Sequence, residues 1–111
     1  FLNKDFKGKS IKAVVGLMKD KDIHDIIREV KGIVSEWYAC SPNMERAISA
    51  NDLKELIFAE TKNKVEAFET VDLAVKEALR EGNSDFVLIF GSFFTVSEAY
   101  ESLSKLKQIE L

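Results

Sequence analysis

The sequence predicts an α/β fold, a mostly parallel sheet with helices on both faces. Four short runs rich in Val, Ile and aromatic residues alternate with four segments whose apolar residues recur at helical spacing. The stretches joining them are only a few residues long, and parallel strands are what helical crossovers on short links connect most economically.

The first strand is expected over residues 11–18 (IKAVVGLM), a nearly continuous β-branched run of the kind covered on both faces. After the charged loop Lys19-Asp20-Lys21-Asp22, Ile23, Ile26, Ile27 and Val30 mark a helix, with Asp22 as its N-cap. Residues 33–40 (IVSEWYAC) read as a second strand, closed by the turn chemistry of Ser41-Pro42-Asn43. Ser49 stands three residues ahead of Asp52 as a capping hydroxyl, and Leu53, Leu56 and Ile57 give the next helix its buried stripe. Residues 65–68 form a short third strand. Thr70 caps a helix with Val71, Ala74, Val75, Ala78 and Leu79 inward, and Gly82 sits where a left-handed C-terminal cap belongs. Residues 86–90 (FVLIF) are the most apolar run and are expected to be the most buried strand. Thr95-Val96-Ser97-Glu98 reads as a capping box opening the last helix, with Val96, Ala99, Tyr100 and Leu103 inward and Phe93 or Phe94 in the core.

The 111 residues are about one domain, with a single core. The chain opens without an initiator Met on Phe1-Leu2-Asn3-Lys4-Asp5-Phe6, which reads as the end of a helix. The expectation is a fragment, 1–111, whose missing upstream strand would complete a Rossmann-like sheet. A net charge of −3, with basic residues dispersed among acids, argues against nucleic acid as a partner. The single cysteine excludes an internal disulfide, and no run is long and apolar enough for a membrane span or a leader, so a cytoplasmic protein is expected.

In open α/β sheets ligands bind beyond the carboxyl ends of the strands, so the loops there are the places to search. Lys19-Asp20-Lys21-Asp22 alternates charges after a buried strand; it could hold a cation or orient an ammonium group, or be a solvated turn with one capping acid. Gly91-Ser92-Phe93-Phe94-Thr95 offers close backbone approach, a hydroxyl and a helix start that favours an anion, or is a plain strand exit. There is no GxGxxG and no GxxxxGK[ST], so no self-sufficient nucleotide site is expected. His24, the only histidine, has no partners for a triad or metal cluster and is read as a surface or capping residue. Cys40 is read as a small buried apolar residue. A phospho-receiver domain needs a phosphoacceptor Asp and a late Lys at strand ends, and Cys40-Ser41, Glu69-Thr70 and Gly91-Ser92 stand there instead.

The run from Ala13 to Asp22 (AVVGLMKDKD) resembles the strand and "DKD" loop of folylpolyglutamate and dihydrofolate synthases, and VLIFGSFFTV, from Val87, resembles their closing "GS-aromatic" segment. Trp37-Tyr38 and Glu45-Arg46-Ala47 are similar too, and the likeness covers nearly the whole chain. It implies the C-terminal domain of a Mur ligase superfamily member, of the folate rather than the peptidoglycan branch. Such ligases use ATP and Mg²⁺ to activate the carboxylate of dihydropteroate or a folyl glutamate for attack by L-glutamate. The resemblance places Gly91, Ser92 and Phe94 beside the incoming glutamate, with Ser92 foremost, and gives Asp20, Lys21 and Asp22 an orienting role near the active site. It implies no catalytic or metal-ligating residue in this chain, since the nucleotide and the metal would be held by an N-terminal ATPase domain upstream. The alternatives are another amino-acid ligase of the superfamily and a non-catalytic α/β binding module.

Overall fold

The structure, a computed structural model, describes residues 10–80 and 86–106. The elements run β1 (Ile11–Gly16), α1 (Ile23–Val30), β2 (Glu36–Cys40), α2 (Ala50–Thr61), β3 (Lys64–Phe68), α3 (Val71–Arg80), β4 (Phe86–Gly91) and α4 (Phe93–Leu106). All strand pairs are parallel, in the order β3-β2-β1-β4. The readings of Phe1 to Phe6 and of Gly82 lie outside the described residues.

Three helices start where short polar side chains meet orphan amides. Asp22 accepts from the Asp25 amide at 3.2 Å, Ser49 from that of Asp52 at 3.1 Å, and Thr70 from that of Leu73 at 3.1 Å. Ile23 and Ile27 of α1 and Leu53 and Ile57 of α2 pack on one face of the sheet, against Ala13, Val15, Trp37 and Ala39. Val71, Val75 and Ala78 of α3 and Ala99 of α4 cover the other, against Val14, Tyr38 and Cys40. Helices on both faces therefore hold β1 and β2 out of water, which their continuous apolar patterns require.

Five expectations are corrected. The run 86–90 is not the most buried strand: among the described residues β4 lies at the sheet edge and pairs only with β1, its residues partly exposed and Phe86 exposed. Apolarity says that a run tolerates burial, not how many neighbours it will have. The last helix opens at Phe93, two residues before the predicted capping box, and Ser92 caps it through the Thr95 amide. That earlier start goes with a different inward face: Thr95, Ala99 and Ser102 are buried, while Val96 and Tyr100 are exposed. Phe93 and Phe94 are both exposed, and so is Leu79 on α3.

Lys12, inside the apolar run of β1, is buried all the same. Its ammonium donates to the Ala78 carbonyl near the end of α3 at 3.2 Å and lies 5.7 Å from the centre of the Tyr38 ring. A helix C-terminus and a π-face are both favourable neighbours for a cation.

From β1 the chain moves outward to β2 and β3, then returns across the sheet to β4 on the opposite side of β1. The switch in direction falls between β1 and β4, where a crevice opens beyond their carboxyl ends.

Candidate functional site

The floor of that crevice is a close approach of two glycines. Gly16 and Gly91 are register partners at the ends of β1 and β4, and Gly91 has φ 128. A Cβ on Gly91 would lie 2.0 Å from the Gly16 oxygen, so no other residue fits. The Gly16 carbonyl accepts the Ser92 amide at 3.0 Å and the Thr95 hydroxyl at 2.8 Å.

Those bonds fix the hydroxyl chemistry. Thr95 has one hydroxyl proton and gives it to Gly16, so in the 3.0 Å contact between the two hydroxyls Ser92 is the donor. Ser92 Oγ also accepts from the Thr95 amide at 3.1 Å. The Ser92 side chain is thus committed to holding the first turn of α4. The amides of Phe93 and Phe94 stand in that turn without intrahelical acceptors.

The second wall is the loop after β1, stitched to the loop after β2. Lys19 donates its amide to the Arg46 carbonyl at 2.8 Å, Ile48 to that of Leu17 at 2.9 Å, and Met18 bridges Ala47 antiparallel. Arg46 Nη2 pairs with Asp20 Oδ2 at 2.8 Å. Between the walls lies a cavity of about 500 Å³. Met18, Asp20 and Lys21 line it from the first loop, Met44 and Arg46 from the second, and Gly91, Ser92, Phe93 and Phe94 from the start of α4.

Five of the six predicted site residues, Asp20, Lys21, Gly91, Ser92 and Phe94, therefore meet at one cavity. Asp22 stands outside the lining and caps α1, its carboxyl held below the usual range by the Asp25 amide. His24 lies on the surface, 3.4 Å from Glu60. Cys40 is buried, its thiol 3.4 Å from the Val15 carbonyl and pushed up to about 12 by burial, with the charge of Glu98 adding to the effect. Gly16 and the side chain of Arg46 were not singled out as site residues. A glycine inside an apolar strand run, three residues ahead of a charged loop, was the available signal for the first; nothing in local sequence gives the Arg46–Asp20 pair, which spans 26 positions.

Among the described residues no three His, Cys, Asp or Glu side chains come together as a metal site, and the sequence holds no phosphate-binding glycine loop. No helix among the described residues is long and apolar enough to cross a membrane.

Residues 2–93 match the Mur ligase, glutamate ligase domain family. The chain belongs to that family. It is 34% identical over 107 residues to the dihydrofolate synthase/folylpolyglutamate synthase of Buchnera aphidicola subsp. Baizongia pistaciae, covering 95% of this chain and 24% of that one. Among solved structures, the bifunctional folylpolyglutamate synthase/dihydrofolate synthase of Yersinia pestis CO92 superposes with a TM-score of 0.77 at 29% identity, over 91% of this chain and 24% of that one. A bifunctional synthase solved with Mn, AMPPNP and L-glutamate bound gives 0.73 at 28% identity, over 90% of this chain and 24% of that one. This glutamate ligase domain thus spans about a quarter of the length of the relatives it matches.

Proposed function

We propose that this domain receives L-glutamate for an ATP-dependent ligase that joins it in amide linkage to dihydropteroate or a folyl (poly)glutamate. The observation that carries the reading is the convergence of the Asp20-Lys21 loop and the Gly91–Phe94 segment on one cavity at the topological switch. That place is the common ligand position of the architecture. In this reading Gly91 brings the backbone close, and Ser92 acts by capping α4, which leaves the Phe93 and Phe94 amides for a carboxylate. Phe94 closes the apolar side of the cavity, while Asp20 and Lys21 orient the charged ends of the amino acid. Asp22 contributes only by fixing the end of that loop. ATP and Mg²⁺ serve on an N-terminal ATPase domain of the same protein, in keeping with the ADP, AMPPNP and Mn in solved relatives. Docking of this domain onto that one would bring glutamate to the activated carboxylate and exclude water.

The test is ADP release by the full-length protein containing this chain, with Mg-ATP, dihydropteroate or tetrahydrofolate, and L-glutamate, beside Ser92→Ala. Release that needs both pterin and glutamate, with a raised glutamate KM in the variant, is the expected result. Dependence on another amino acid or acceptor would move the domain to a different ligase of the superfamily. No dependent release from folded protein would leave a non-catalytic module.

A further inference from the structure

The charged side chains lining the cavity are Asp20, Lys21 and Arg46, two cations and one anion. An amino acid with an acidic side chain presents the inverse, two carboxylates and one ammonium. A neutral amino acid would leave one cation of the cavity without a counter-charge. We infer that Arg46 is the residue that restricts this site to dicarboxylic amino acids, by pairing with one of the two carboxylates. The inference rests on the amino-acid-receiving reading above and adds to it a selecting residue outside both of the segments that carry that reading.

The local geometry suits the role. The Arg46 side chain is 72% exposed, and among the described residues its one ion pair is the 2.8 Å bond to Asp20, itself exposed. Guanidinium carries five N–H donors in a planar fork, so a bond to Asp20 leaves donors for a second carboxylate. When ligand is bound, Asp20 orients Arg46 and faces the ammonium. Lys21 has no ion pair among the described residues and supplies the other positive charge. The side chain of Arg46 is also dispensable for the shape of its loop, since the stitch to Lys19 runs through the Arg46 carbonyl. Arg46→Ala should therefore remove a ligand contact and keep the wall of the cavity.

The experiment is steady-state ligation by the full-length protein with L-glutamate, L-glutamine and isoglutamine, in wild type, Arg46→Ala and Arg46→Lys. The two monoamides each replace one carboxylate by a neutral group of the same size. In wild type glutamate is preferred over both. In Arg46→Ala, kcat/KM for glutamate is expected to fall roughly 10- to 100-fold, mostly through KM. Use of the monoamide lacking the carboxylate that Arg46 reads should stay unchanged, so one preference collapses and the other persists; Arg46→Lys should fall between. Equal losses for all three amino acids, or none, would overturn the selecting role and leave the ligase reading standing. A wild-type protein indifferent to glutamate would remove that reading, and this inference with it.

Discussion

The Thr95 hydroxyl donates to the Gly16 carbonyl at 2.8 Å, tying the first turn of α4 to the end of β1 across 79 positions of sequence. Both groups are buried, and the same carbonyl takes the Ser92 amide. The two walls of the cavity are thus hung from one oxygen atom. The helix start that borders the cavity is placed by the sheet and not by its own loop, since only Ser92 separates β4 from α4.

Thr95→Val keeps the shape of the side chain but removes its hydroxyl. Gly16 loses one of its two donors and the Ser92 proton loses its acceptor, in a buried site. The expected cost is about 1–3 kcal/mol by urea unfolding. Thr95→Ser keeps the hydrogen bonds and should lose only about 1 kcal/mol for the methyl. Combined with Ser92→Ala, the valine substitution should cost less than the sum of the two, because both act on one network. Full additivity would mean that the hydroxyl chain is not cooperative.

A different outcome is expected at Lys12. Its ammonium is held by one carbonyl and one ring face inside the α3 side of the core. Lys12→Met fills nearly the same volume without a cation to desolvate, and should be neutral or stabilising in urea. Lys12→Ala leaves a cavity and should cost about 2–5 kcal/mol, the range for buried long side chains cut to alanine. If methionine cost as much as alanine, the ammonium itself would be the source of stability, and burial of its stem a minor part.

These two residues also show where sequence reading reached and where it stopped. The helices with caps of their own were legible, because Asp22, Ser49 and Thr70 each stand directly before an apolar stripe, and a cap acts within three residues. At α4 the same logic chose Thr95 over Ser92. Both hydroxyls lie ahead of apolar residues, and the choice between them is made by Gly16, far away in sequence. Lys12 was hidden because one cation in a β-branched run does not break the pattern of a buried strand. Its partners lie on β2 and α3. The site residues on the two strand-exit loops were legible from topology, which says where ligands bind in such sheets. Arg46 was not, because its place depends on how the loop after β2 folds back on the loop after β1.

Cys40 gives a pH-dependent outcome with a definite sign. Its thiol ordinarily ionises near 9.0, and burial between Val15 and the α3–α4 side of the core pushes it up to about 12. Between those values the unfolded chain loses the thiol proton while the folded chain keeps it. The unfolded state then binds fewer protons, so stability falls as pH rises through that window, and this contribution is flat below it. Cys40→Ala should lose packing at neutral pH but show a shallower decline above pH 9. Every other side chain is shared by the two proteins, so the difference between the two unfolding curves isolates the thiol. The same burial keeps the thiolate scarce in the native protein, so alkylation by iodoacetamide at pH 8 should be slow until urea opens the fold. Fast native labelling, or parallel stability curves for the two proteins up to pH 11, would show that Cys40 meets solvent and that α3 and α4 do not seal that face of the sheet.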